Sequence, residues 1–196
     1  MAPFLEVLTR TFNARPHLLR INQDSLRRQT DPDWVQTLLV DEVGRGIDWA
    51  SENLAAYAPH LVGEYIWILD DDDLCILPTL VAELKFIAAD SDPDVFMLRM
   101  DHGAGRLLPG DDTWMGPPVL GQIGCSAFVV RRAVWQAHAS AMEHGHYASD
   151  YDLIAAIWRS QPTVYWHDVV ASRVMRQSFG RPEAVNPWQR ATPTRA

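Results

Sequence analysis

Four consecutive aspartates, Asp70 to Asp73, directly follow the apolar run Tyr65-Ile66-Trp67-Ile68-Leu69. The apolar run reads as a buried strand. Carboxylates this close repel one another, and each raises its neighbours' pKa. A chain carrying this sequence must therefore place the end of that strand in water or against a cation. In α/β sheets ligands bind beyond the carboxyl ends of the strands, so the position of the run favours a cation.

The rest of the chain supplies such a sheet. Phe4 to Leu8 reads as a first strand, followed by the polar stretch Thr9 to Asn13 as a loop. Pro16 suits the first turn of a helix, with Leu18, Leu19, Asn22 and Leu26 at helical spacing. Val35 to Val40 is a second strand ending in Asp41-Glu42, and Ile47 to Tyr57 a helix. After the aspartates, Pro78 opens a helix with Leu80, Val81, Leu84, Ile87 and Ala88 on one face. Val95 to Met100 and Ser126 to Val130 read as strands, separated by a Gly- and Pro-rich loop or hairpin over 103–124. Arg132 to Glu143 is expected to be mostly helical, Asp150 to cap a further helix, and Thr163 to Trp166 to form a last strand. Alternating strands and helices imply an α/β fold with a mixed, mostly parallel central sheet flanked by helices. Strands ending at Thr9, Asp41 and Asp70 would line up along one edge and share one ligand site.

Composition narrows the function. The net charge of −8 and pI near 5.2 argue against a broad nucleic-acid face. The two cysteines, Cys75 and Cys125, cannot make a disulfide framework. No apolar stretch has the length of a membrane span, and no signal peptide is evident, so a cytoplasmic setting is expected. His138, His144 and His146 lack the partner set of a zinc site.

The chemistry sits in motifs. Hard divalent cations prefer carboxylate oxygens and commonly bridge them to phosphate. The segments Val7-Leu8-Thr9-Arg10-Thr11-Phe12-Asn13-Ala14-Arg15-Pro16, Ser25 to Thr30, Asp33-Trp34 and Leu39-Val40-Asp41-Glu42 resemble the opening of family-2 glycosyltransferases of the GT-A fold. Gly63 to Asp73 is similar to that family's segment carrying the DXD motif. Ser126 to Arg132 resembles the strand before the acceptor-side helix, and Ser149-Asp150-Tyr151-Asp152-Leu153 the Glu-Asp segment that holds the catalytic base. These matches cover most of residues 4 to 160, in the family's order.

The resemblance implies a compact GT-A-like domain over residues 1–180, while Pro182, Pro187 and Pro193 make 181–196 an irregular tail. It implies a metal-dependent, inverting glycosyltransferase using Mn²⁺ or Mg²⁺ and a nucleotide-diphosphate sugar, a UDP-sugar first among donors, with a saccharide or other hydroxyl acceptor. Thr9 and Asp41 would contact the base and ribose. Asp70, Asp71 and Asp72 would form the DXD triplet, with Asp72 on the metal, Asp70 on the ribose or metal, and Asp73 as the turn residue that follows. Asp150 would be the general base, its pKa lowered by a helix N-terminus. His167 would complete the metal shell, and Arg173 and Arg176 would reach the diphosphate.

The chain departs from the family pattern in three places. The stretch between Glu42 and Gly63 is short, Glu52 stands where a basic residue precedes Asn53, and Ser149 replaces the glutamate before Asp150. These departures support an alternative, a catalytically degenerate domain that binds a sugar or a partner. A nucleotidyltransferase is disfavoured, because the loop from Thr9 to Pro16 contains no glycine to cradle a triphosphate.

Overall fold

The computed structural model describes residues 2–143 and 146–175. In chain order the elements are β1 (Leu5–Phe12), α1 (Pro16–Leu26), β2 (Trp34–Asp41), α2 (Ile47–Tyr57), β3 (Tyr65–Ile68), β4 (Asp73–Cys75), α3 (Leu80–Ser91) and β5 (Val95–Asp101). They continue with β6 (Leu107–Leu108), β7 (Phe128–Arg131), α4 (Arg132–His138), α5 (Ser149–Arg159) and β8 (Val164–Val174). The period-two alternation of the strands divides their apolar residues between two cores. Leu5, Val7, Tyr65, Trp67 and Leu69 face α1 and α3, where they meet Leu26, Leu80, Val81 and Leu84. Leu8, Ile66 and Ile68 face the other way, toward Leu54 of α2, Trp135 of α4 and Leu153, Ile154 and Ile157 of α5.

The strands form one mixed sheet in the order β2-β1-β3-β7-β5-β8-β4, with β6 paired to β5. Strands β3 and β4 are consecutive in the chain yet have β7, β5 and β8 between them. In a flat sheet they would lie about 19 Å apart, whereas the chain from Ile68 to Asp73, fully extended, reaches only about 17 Å. The sheet is therefore curled, and the aspartate run bridges its two arms.

Two strands run further than the sequence reading expected. β1 continues through the polar stretch to Phe12, in unbroken parallel register with β2 from Leu5↔Trp34 to Phe12↔Asp41. Its polar side chains have partners: Thr9 meets Gln36, and Arg10 and Thr11 meet aspartates. β8 extends to Val174 because its charged residues are also paired, His167 with Glu83, Asp168 with Arg99 and Arg173 with Asp101. Conversely, residues 125–127 form a 3₁₀ turn before β7, so the strand expected from Ser126 begins at Phe128. Within 103–124, β6 pairs with the end of β5 as a short hairpin. Among the described residues no helix is long and apolar enough to cross a membrane. The expected tail, 181–196, lies outside the described residues.

Candidate active site

The turn between the two arms of the sheet is held from below by Asn22 of α1. Its Nδ2 donates to the carbonyls of Asp70 at 2.8 Å and Asp73 at 2.9 Å. Gln36 Nε2 in turn donates to Asn22 Oδ1 and to Thr9 Oγ1, both at 2.8 Å. Thr9 and Asn22 are fully buried. This corrects the expectation for Thr9: it lies beneath the site, in the network that supports the turn, and no base can reach it.

The four aspartates have four environments. Asp70 receives a two-pronged contact from Arg10, with Nε 2.7 Å from Oδ1 and Nη2 2.5 Å from Oδ2. Burial alone would favour loss of the Arg10 charge, but Asp70 outweighs it and holds the guanidinium charged. Asp71 is fully buried, accepts from Thr11 Oγ1 at 2.9 Å and pairs with Arg15 at 2.8 Å. Burial still raises its pKa against the pull of Arg15. Asp72 is 23% exposed with Arg15 Nη1 at 3.5 Å. Its carboxyl is pushed up to about 7 by burial and then by the charge of Asp70. Asp73 closes the turn that follows the triplet, its amide donating to the Asp70 carbonyl at 2.9 Å. It is buried, opens β4 opposite Val174, and burial with Asp72 and Asp70 nearby raises its pKa well above the usual range. The sequence reading overlooked Arg10 and Arg15. The signal was two arginines within six positions at the end of a strand neighbouring the acidic run.

Asp150 approaches from the other side. It is the second residue of α5, whose N-cap is Ala148, so it is not the cap. Its Oδ1 accepts from the Tyr151 amide at 2.8 Å. The expected depression of its pKa by the helix terminus is overturned: burial outweighs that amide and the attraction of Arg10, and lifts the carboxyl to about 6. Asp150, Arg10 and Asp70 are close enough for their charges to interact. Cys125 Sγ lies 3.5 Å from Asp70 Oδ2, and burial beside Asp70 raises its thiol pKa, keeping it protonated. Asp152 turns away to His146, at 2.5 Å.

Three expected residues serve elsewhere. Asp41 accepts from the amides of Val43 and Gly44 at 3.2 and 2.9 Å, from Gly46 at 3.2 Å and from Arg45. These four amides overcome the effect of burial and lower its pKa. Asp41 thus shapes the loop entering α2, and its oxygens are committed there rather than to a ribose. His167 is 2.7 Å from Glu83 of α3. It lies seven positions along β8 from Val174, the partner of Asp73, in a bulged stretch where Trp166 to Arg173 matches only Met97 to Asp101 of β5, about 13 Å at strand rise, and its ring is committed to Glu83. Arg173, on β8 opposite Leu74, is near the turn but pairs with Asp101 at 2.8 Å. Arg176 lies outside the described residues.

Among the described residues no three His, Cys, Asp or Glu side chains are placed to hold a metal ion by themselves. The donor chemistry nonetheless suits one. Asp70, Asp71, Asp72, Asp73 and Asp150 face the two arginines Arg10 and Arg15, and Asp72 keeps an accessible carboxylate. A hard divalent ion needs one or two carboxylates when diphosphate oxygens and water complete its shell.

The fold matches known structures. TarS of S. aureus superimposes with a TM-score of 0.66 at 13% identity, over 87% of this chain and 36% of that one. A shorter TarS, residues 1-349 in complex with UDP-GlcNAc, gives 0.64 at 13% identity, over 90% of this chain and 59% of that one. The mannosyltransferase PcManGT of Pyrobaculum calidifontis, in complex with GDP-Man and Mn²⁺, gives 0.55 at 18% identity, over 87% of this chain and 57% of that one. The fold is GT-A-like. The chain spans between 36% and 59% of the length of these neighbours. No family model and no curated protein matches the chain. Within the GT-A-like fold, the aspartate turn and Asp150 lie at the carboxyl end of β3, where α/β folds bind ligands.

Proposed function

We propose that the protein is a glycosyltransferase that moves a sugar from a nucleotide-diphosphate sugar to an acceptor hydroxyl with inversion, and that a divalent cation assists. The observation that carries this reading is the convergence of Asp150 with Asp70 and Arg10. A carboxylate from a distant helix faces an acidic turn that has spare negative charge. The neighbours' complexes with UDP-GlcNAc and with GDP-Man and Mn²⁺ agree with it.

Asp72 is the residue to hold the cation, which would offset the charge developing on the diphosphate. Arg15, between Asp71 and Asp72, holds the accessible carboxylate in place. Asp150 takes the proton from the acceptor hydroxyl as that oxygen attacks the anomeric carbon. A single base suffices for direct displacement, and the nucleoside diphosphate leaves from the opposite face. With its pKa near 6, Asp150 is ionised at neutral pH yet basic enough to accept a proton.

The test is a thermal-shift screen of nucleotide sugars with Mn²⁺, UDP-sugars first, followed by transfer and donor-hydrolysis assays. A bound donor is expected to raise the melting temperature. Asp150→Asn is expected to keep donor binding and lose roughly 10²–10⁴-fold in turnover. Unchanged turnover would place the base elsewhere.

A further inference from the structure

Two arginines face the aspartate turn, and they are held differently. Arg10 grips Asp70 with both prongs of its guanidinium in hydrogen-bond alignment, at 2.7 and 2.5 Å. Arg15 has no such grip. Its Nη2 lies 2.8 Å from Asp71 Oδ1, close enough for an ion pair, and its Nη1 lies 3.5 Å from Asp72 Oδ2. Yet Asp71 Oδ1 and Arg15 Nε are both buried without a hydrogen-bond partner among the described residues. The other oxygen of Asp71, Oδ2, accepts from Thr11 Oγ1 at 2.9 Å and from the Phe12 amide at 3.4 Å. Asp71 is therefore fixed by β1 and fully buried, with one oxygen left to a cation that fits it poorly. An arginine that fits a carboxylate well offers it two parallel N–H donors.

The backbone of Arg15 is anchored, so the freedom lies in its side chain. Its amide donates to the Phe12 carbonyl at 2.9 Å, and its carbonyl accepts from the Leu18 amide at 3.0 Å. It is the N-cap of α1, whose first turn has no side-chain cap and no acidic residue. That helix end favours an anion and disfavours the guanidinium's own charge. The guanidinium stays because Asp71 would otherwise be a buried charge without a counter-charge. A second cation on the same carboxylates removes that need. A small divalent ion binds each oxygen ligand at about 2.1 Å. A phosphate oxygen that shares an ion with Asp72 therefore lies within about 4 Å of that carboxylate, in reach of the arginine already beside it.

We propose that Arg15 is a stand-in for the divalent cation: it neutralises Asp71 and Asp72 until the ion takes them over, and then turns onto the diphosphate that arrives with the ion. The proposal rests on the glycosyl-transfer reading and adds to it the energetic coupling between ion and donor. The ion alone has to compete with Arg15 and binds weakly. Ion and nucleoside diphosphate together bind tightly, because Arg15 gains a phosphate partner as it loses its carboxylates. Arg10 takes no part in the exchange, since its two aligned contacts keep it on Asp70.

The experiment is titration calorimetry on the full chain. Mn²⁺ is titrated alone, and UDP and GDP are titrated with and without saturating Mn²⁺. In the wild type Mn²⁺ is expected to tighten binding of the preferred nucleotide about 10-fold or more. In Arg15→Gln, Mn²⁺ alone is expected to bind about 10-fold tighter than in the wild type, while its enhancement of nucleotide binding drops about 3-fold or more. Should that variant not fold, Arg15→Lys carries the test. A compact ammonium cannot span both carboxylates, so Mn²⁺ alone is again expected to bind tighter than in the wild type. Arg20→Gln removes the same charge from the exposed face of α1 and is expected to shift either quantity by less than about 2-fold. Unchanged or weaker Mn²⁺ binding in the Arg15 variants would make Arg15 a fixed brace for Asp72 and overturn the proposal, as would an undiminished enhancement in Arg15→Gln. Failure of the wild type to bind Mn²⁺, UDP, GDP or any nucleotide sugar would remove the glycosyl-transfer reading and this proposal with it. Donor binding and hydrolysis indifferent to Mn²⁺ would remove the proposal alone.

Discussion

At the scale of single residues, the site trades stability for reactivity. Asp150 has a pKa near 6 in the fold, raised chiefly by burial, against roughly 3.9 for an unfolded aspartate. The native state therefore holds the proton more tightly than the unfolded chain, and stability falls as pH rises between those two values. Above about pH 6 the ionised carboxylate costs on the order of 3 kcal/mol. Asp150→Asn removes that cost, so this variant is expected to melt several degrees higher than the wild type at pH 7.5 and to lose most of that advantage at pH 4. Calorimetry at the two pH values checks this. The same titration predicts that turnover rises with pH through about 6 and then levels off. A rate that climbs on acidification would assign Asp150 the opposite role, that of an acid.

At the scale of elements, β1 does more than its sequence announces. Glu6, at its buried start, accepts from Thr37 Oγ1 at 2.8 Å and from the amides of Val62 and Gly63 at 2.6 and 2.9 Å. It thereby pins the segment that leads into β3. A methyl group at Gly63 would come within 2.5 Å of the Glu6 Cβ and 2.7 Å of its backbone nitrogen. Both Glu6→Ala, which leaves the buried Gly63 amide and the Val62 amide without their carboxylate partner, and Gly63→Ala are expected to cost about 2–4 kcal/mol, measured by denaturant titration. Val62→Ala, at an exposed side chain, should cost little.

β1 also marks how far the sequence could be read. The apolar stretches gave α1, α2, α3 and β2 nearly to the residue, because their burial follows the period of the element. The strand before the aspartates and the helix that begins beside Asp150 were legible from their order along the chain. The polar half of β1 was not, because Thr9, Arg10 and Thr11 look like a loop until their partners, more than twenty residues away, are known. Similarly, His167 reads as a ligand after a short strand only while β8 is thought to end at Trp166. Asp41 ends β2 and Thr9 lies inside β1, but nothing in their spacing reveals that backbone amides and Gln36 have claimed them.

At the scale of the whole molecule, the acidic turn is a place where the curl of the sheet is held against repulsion. Both Asp72, pushed to about 7, and Asp150 titrate above their unfolded values, so each charge added between about pH 4 and 7 weakens the fold. A cation at the turn should reverse this. Mn²⁺ alone is expected to raise the wild-type melting temperature at pH 7.5, and Asp72→Asn to raise it without metal while abolishing most of the metal response. Equal responses in both proteins would deny Asp72 the ion.

The extended course of β1 to Phe12 has a consequence for how such a site can vary. Its polar half alternates, Thr9 and Thr11 serving Gln36 and Asp71 while Arg10 serves Asp70. In a loop, one residue gained or lost is absorbed by slack. In a strand it inverts every side chain that follows, here exchanging arginine for threonine opposite the acids. Descendants of this chain are free to change letters along 9–12, but their spelling there has to keep its length.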